Sequence, residues 1–149
     1  IADEMFVLKQ DHFMKLCNKI IEREYDFNIW AYARVDTVKK SYLDTLKKAG
    51  VQWLALGIES GNGVVRKDVI KGRFTDVNIA DLVKEIQDAG INVIGNYIFG
   101  LPEDNTDTMR ETLELAKDLN CEFANFYCSM AYPGSKLYLD AIRDGMTLP

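Results

Sequence analysis

Three short segments place polar side chains where apolar runs stop, which is where chemistry could be done. The first, Leu56-Gly57-Ile58-Glu59-Ser60-Gly61-Asn62, carries an apolar run straight into a carboxylate and then into small polar residues. Glu59, with Ser60 beside it, could accept hydrogen bonds from sugar hydroxyls or from an amine. It could equally cap the turn that follows, with Gly61 merely supplying a positive φ. The second, Gly95-Asn96-Tyr97-Ile98-Phe99-Gly100-Leu101-Pro102, sets an amide inside an apolar run and closes on a glycine and a proline. Gly100 would let a flat ligand approach the backbone, and Pro102 fixes the exit of the chain; a tight turn with a hydrogen-bonded Asn96 fits the same pattern. The third, Tyr132-Pro133-Gly134-Ser135, opens a helix and could meet the edge of a ring or serve only as a cap.

Two cations stand near these segments. Arg34, at the end of Trp30-Ala31-Tyr32-Ala33, could bind a carboxylate or pair with Asp36. Lys71, in Ile70-Lys71-Gly72-Arg73, could reach the same region or lie in solvent. Other chemistries are excluded. The single histidine, His12, has no partner for a nucleophile pair, and there is no Walker loop, no Gly-x-Gly-x-x-Gly turn and no zinc spacing.

The elements that must position these residues read as helices alternating with strands. A helix from about Phe13 puts Leu16, Cys17, Ile20 and Ile21 on one face, and a strand follows over Phe27–Ala33. Asp36 is the expected N-cap of a second helix carrying Val38, Leu43 and Leu46, which Gly50 ends. Val51–Ile58 is a strand apolar on both faces apart from Gln52, as in a sheet covered on both sides. A helix over Asp76–Ala89, a strand over Asn92–Phe99, a helix over Thr106–Leu119, a strand over Glu122–Met130 and a short helix from Ser135 complete the chain. Short links between alternating elements imply α/β architecture with a parallel sheet of about four βα units and right-handed crossovers. In such sheets, sites lie beyond the strand C-termini.

With 149 residues and 48% apolar content the chain is expected to be one domain, 1–149, with a sizeable core. It begins at Ile1 without methionine and ends at Pro149 without a tail-like composition, so both ends read as cuts in a longer protein. No apolar run of about 18 residues and no signal peptide occur, which points to a protein that does not cross a membrane and works in the cytoplasm. Three widely spaced cysteines, Cys17, Cys121 and Cys128, fit a reducing compartment and are expected to be small core residues. A net charge of -5 with interspersed signs disfavours nucleic-acid binding.

Taken in order, Asp3-Glu4-x-Phe6, Trp30-x-x-x-Arg34-x-Asp36, Ala49-Gly50, Leu56-Gly57-Ile58-Glu59-Ser60-Gly61, Ile70-Lys71-Gly72, Ala89-Gly90-Ile91, Gly95-x-x-Ile98-x-Gly100-Leu101-Pro102 and Tyr132-Pro133-Gly134-Ser135-x-Leu137-Tyr138 resemble the radical S-adenosylmethionine superfamily. The resemblance is to the group that includes cobalamin-binding members. It implies part of a parallel (β/α)6 partial TIM barrel. It also implies an oxidoreductase whose [4Fe-4S] cluster, fed by an electron donor, reductively cleaves S-adenosylmethionine to a 5'-deoxyadenosyl radical that abstracts hydrogen from a small-molecule substrate. By position, Glu59 and Asn96 would hold the ribose or the methionyl part, with Ser60 and Gly100 in the same cofactor set. Ile98 would pack against adenine, Lys71 would pair with the methionyl carboxylate, and Arg34 is a second candidate for that carboxylate.

The family's Cys-x-x-x-Cys-x-x-Cys run does not occur in this sequence. The expectation is that cluster and any cobalamin belong to the parent protein, that the cluster loop lies upstream of Ile1, and that this chain alone is inactive. Methyl transfer and porphyrin cyclisation are the reactions kept open. The alternative is a non-catalytic α/β-barrel scaffold. A barrel using a lysine Schiff base is disfavoured, because no lysine lies within or at the end of an expected strand.

Overall fold

The structure is a computed structural model that describes residues 1, 3, 5–69 and 77–146. Four strands, β1 (Ile29–Arg34), β2 (Val51–Glu59), β3 (Asn92–Phe99) and β4 (Phe123–Cys128), form one sheet in the order β1-β2-β3-β4. Every neighbouring pair is parallel. Helices make the crossovers: α2 (Lys40–Lys48) after β1, α3 (Gly63–Val69) and α4 (Ile79–Asp88) after β2, and α5 (Thr106–Leu119) after β3. α1 (Gln10–Glu22) precedes β1 and α6 (Lys136–Arg143) follows β4. This is the α/β fold of four βα units expected from the alternating pattern.

The helices bury their stripes against one face of the sheet. Ala31, Ala33, Leu54, Leu56, Ile58, Val93 and Tyr97 form the core there with Phe13, Cys17, Leu43, Leu46, Leu82, Val83 and Ile86. Each large side chain so buried contributes about 1.5–3 kcal/mol. The other face carries Trp30, Tyr32, Trp53, Ile94, Phe123, Asn125 and Tyr127, and Trp30 and Tyr32 are 47% and 42% exposed. The apolar character of β2 on both faces therefore does not mean helices on both sides. Trp53 and Ala55 belong to an aromatic floor without helical cover among the described residues.

Boundaries depart from expectation where caps or loops decide them. Asp36 does not cap α2: its carboxylate is taken by Arg34, and the helix begins at Lys40 after an uncapped Lys39. α4 starts at Ile79, capped by Asn78, which accepts from the Ala80 and Asp81 amides. The expected start at Asp76 lies outside the described residues. α3 has no counterpart in the sequence reading, because a seven-residue helix spans too few turns to show a periodic stripe. α5 matches its expected bounds and is locked by a capping box between Asn105 and Thr108. Ser135 caps α6, accepting from the Tyr138 amide at 3.2 Å. Gly50 takes φ +92, and a Cβ there would collide with the Phe27 carbonyl, so the chain turns from α2 into β2 only with glycine.

Ahead of α1, two residues bond to the edge of β1: the Val7 amide donates to the Tyr32 carbonyl at 3.3 Å and the Ile1 nitrogen to the Trp30 carbonyl at 3.0 Å. Of the cysteines, Cys17 is buried as expected, but Cys121 is half-buried and Cys128 is exposed. Cys128 lies on β4, whose two faces are both largely open, so it is not a core residue.

Candidate functional site at the strand C-termini

Parallel order gathers the C-terminal ends of all four strands on one edge of the sheet. The register stacks the helix-free face into rows. Trp30 pairs with Trp53 at the bottom, Tyr32, Ala55, Ile94 and Phe123 form the next row, and Arg34, Gly57, Asn96 and Asn125 the one above. Ile98 opposite Tyr127, with Glu59, makes the rim. The face thus passes from a bulky aromatic floor to small and polar groups at the rim. A cavity of about 370 Å³ opens over the floor, lined by Trp30, Trp53, Ile94, Phe123 and Asn125.

Glu59 owes its position to the backbone. It takes φ +67, a conformation uncommon outside glycine, and the β2–β3 register shifts between Gly57 and Glu59. The positive φ expected at Gly61 thus falls on Glu59. The carboxylate folds back over Gly57: a Cβ at position 57 would lie 2.7 Å from Glu59 Oε1. Among the described residues Glu59 has neither a hydrogen-bond nor an ion-pair partner, and burial pushes its carboxyl up from the ordinary value. Half-buried, unpaired carboxylates concentrate at binding sites, where a ligand supplies the missing partner.

Asn96 is held across the sheet. Its Oδ1 accepts from Asn125 Nδ2 at 3.0 Å and from the Tyr127 hydroxyl at 3.5 Å, and its Nδ2 donates to the Leu56 carbonyl at 3.4 Å. These bonds set the amide in the row directly below the rim. Ile98 is half-buried beside it, across from Tyr127.

The remaining expected site residues are deployed differently. Ser60 is fully buried and its Oγ lies 3.2 Å from Thr112 Oγ1, which also accepts from the Gly61 amide at 2.9 Å. Ser60 thus ties the turn to α5, away from Glu59. A Cβ at Gly61 would sit 2.7 Å from the Glu111 carbonyl, so this glycine serves a close approach. Arg34 donates through Nε to Asp36 Oδ1 at 2.9 Å and through Nη2 to Oδ2, a bidentate pair that already neutralises it. Gly100 is exposed at φ +77, and its amide and that of Leu101 both donate to Asp104 Oδ2 at 3.0 Å. Lys71 lies outside the described residues.

Asn125, Tyr127 and Asp104 were not singled out by sequence reasoning. The alternation Phe123-Asn125-Tyr127 on β4 was the available signal for the first two. Asp104 also accepts from Thr108 Oγ1 at 2.7 Å, so it anchors the turn after β3 to α5.

An iron–sulfur cluster does not fit these residues. Cys17 is in the helical core with its thiol pushed up to about 11 by burial, Cys121 is likewise raised by burial, and Cys128 lies at the end of β4. Among the described residues no group of three or more His, Cys, Asp or Glu could hold a metal. None of their helices is long and apolar enough to cross a membrane.

Comparison with known proteins shows the family of this chain. The radical SAM superfamily matches residues 7–116. An uncharacterized methyltransferase of Pyrococcus horikoshii is 27% identical over 146 residues, 98% of this chain and 32% of its own length. An anaerobic magnesium-protoporphyrin IX monomethyl ester cyclase of Rubrivivax gelatinosus is 25% identical over 140 residues, 93% of this chain and 25% of the cyclase. This chain therefore spans a third or less of these relatives. Two structures of TsrM, a radical S-adenosylmethionine methyltransferase from Kitasatospora setae, superpose with TM-scores of 0.73 and 0.74 at 21% and 22% identity. They cover 85% and 84% of this chain and 26% of that one; the first holds cobalamin and a [4Fe-4S] cluster, the second tryptophan and an S-adenosylmethionine analog.

Proposed function

The chain belongs to the radical SAM superfamily, and from that premise we propose that it is the C-terminal portion of a partial-barrel domain whose strand ends hold S-adenosylmethionine. The observation that carries this reading is the Glu59 carboxylate, unpaired among the described residues and folded over Gly57 at the rim above Asn96. Glu59 accepts from ribose hydroxyls or the methionyl ammonium, Asn96 supplies an oriented amide, Ile98 offers an apolar surface to adenine, and the exposed turn at Gly100 leaves room for a flat ring. When bound, S-adenosylmethionine supplies radical chemistry through reductive cleavage of a sulfonium carbon–sulfur bond.

The cluster, its electron donor and any cobalamin are assigned to the whole protein, because the cysteines of this chain do not converge. The relatives favour a small-molecule substrate and either methyl transfer or an oxidative cyclisation. Two measurements test the proposal. The full chain titrated with S-adenosylhomocysteine binds it, and Glu59→Gln weakens that binding; an inert calorimetric titration sinks the pocket. The whole protein, purified without oxygen and reduced, absorbs as an iron–sulfur protein and releases 5'-deoxyadenosine. A colourless, inactive protein supports the scaffold alternative.

A further inference from the structure

Among the described residues three polar side chains are buried, Ser60, Thr108 and Thr112, and they lie along one chain of hydrogen bonds. The Thr112 hydroxyl donates to the Thr108 carbonyl at 3.0 Å. Its single proton is then used, so the Ser60 hydroxyl is the donor across the 3.2 Å contact with Thr112 Oγ1. Thr112 Oγ1 accepts in addition from the Gly61 amide at 2.9 Å, and Ser60 Oγ accepts from the Asn62 amide at 3.1 Å. One hydroxyl of α5 thus receives bonds from both residues that follow Glu59. Those residues fix a turn that the chain would not keep unaided. The Ser60 amide donates to the Ile58 carbonyl at 2.9 Å, which closes a three-residue turn centred on Glu59 at φ +67. A turn of this size with a positive central φ is rare and strained, and such strain persists only where the surroundings over-determine it.

We propose that Thr112 is a positioning residue: it holds the Glu59 backbone left-handed and so keeps the carboxylate over Gly57 at the rim. Its effect on ligand binding rests on the reading of the strand ends as an S-adenosylmethionine pocket; its effect on the turn does not. The anchor is short, because a Cβ at Gly61 would meet the Glu111 carbonyl at 2.7 Å. Valine is β-branched like threonine and has nearly its shape, so packing alone does not call for a hydroxyl at this position. Thr108, whose carbonyl takes the Thr112 proton, donates through Oγ1 to Asp104 Oδ1 at 2.7 Å. The N-terminal half of α5 therefore holds the Glu59 turn and the Gly100 turn in one frame.

The test uses Thr112→Val, which removes the hydroxyl, and Thr112→Ser, which restores it. The three-bond coupling between the amide proton and Hα of Glu59, read by NMR on the full chain, reports φ at that residue. It is expected to leave its left-handed value in Thr112→Val and to keep it in Thr112→Ser. In calorimetric titrations, Thr112→Val weakens S-adenosylhomocysteine about tenfold, and in a Glu59→Gln background the same substitution changes binding by no more than about twofold, because both act through one carboxylate. Ser60→Ala cuts the same anchor from its other end and decides the matter if the valine variant does not fold. An unchanged coupling constant overturns the proposal, as does a loss of binding that adds in full to that of Glu59→Gln. Wild-type chain that does not bind S-adenosylhomocysteine overturns the pocket reading instead, and the coupling constant then decides whether Thr112 sets the turn.

Discussion

The carboxylate of Glu59 lies over the Cα of Gly57, so close that a methyl group at position 57 would meet Oε1 at 2.7 Å. The obstructing atom is the far end of a flexible side chain, so the fold can absorb an alanine by swinging that side chain away. Gly57→Ala is therefore expected to keep the melting temperature within a few degrees of wild type while weakening S-adenosylhomocysteine binding about tenfold, as Glu59→Gln does. Thermal melts and calorimetry on the same samples check this; a variant that loses stability but binds normally contradicts it.

Burial holds the Glu59 carboxyl above its ordinary 4.5. The folded chain keeps that proton at pH values where the unfolded chain has released it. Stability from this group is therefore greatest below the ordinary value and falls as pH rises through the raised one. Glu59→Gln removes this slope, so the difference in urea midpoint between the variant and wild type grows from about pH 4 to pH 7. A difference that is flat with pH rules the explanation out.

Gly50 and Gly145 both have positive φ, +92 and +72, but differ in surroundings. An alanine at 50 meets the Phe27 carbonyl and one at 145 meets open space. Gly50→Ala should cost well over 2 kcal/mol, since a backbone collision adds to the strain, and Gly145→Ala only about 1 kcal/mol. Paired urea titrations measure the difference.

Asp104 accepts from the Gly100 and Leu101 amides and from Thr108 Oγ1, which makes it the clamp of the turn beside Ile98. Asp104→Ala is expected to destabilise the chain by about 2 kcal/mol and to weaken S-adenosylhomocysteine as the turn loosens. Asp104→Asn, which retains an acceptor oxygen, restores most of both. Binding unaffected in the alanine variant would show that the turn does not shape the pocket.

Much of the fold could be read from one dimension, because an amphipathic helix or a strand repeats its apolar residues at a fixed interval. The bounds of β3 and α5 follow from that spacing alone, and the Ala-Gly pairs at 49–50 and 89–90 mark helix ends because only glycine accepts a positive φ cheaply. The ordered strand-end motifs identified the family. Pairings across the sheet and local caps escaped this reading. Arg34 could bind a ligand or Asp36 on sequence grounds, and in the structure it pairs with Asp36, two residues along the chain.

By itself, then, the sequence determined four βα units, their order and the superfamily, all of which rest on local spacing and short motifs. Tertiary structure decided which strand-end groups share a face. Glu59 and Ser60 are adjacent in sequence, yet the left-handed backbone at Glu59 folds its carboxylate over the helix-free rim while Ser60 turns into α5 against Thr112. Asn96 is joined to Asn125 only by the parallel register of β3 and β4. Such placements depend on dihedral angles and on strand alignment across 29 residues of chain, quantities that apolar periodicity does not encode.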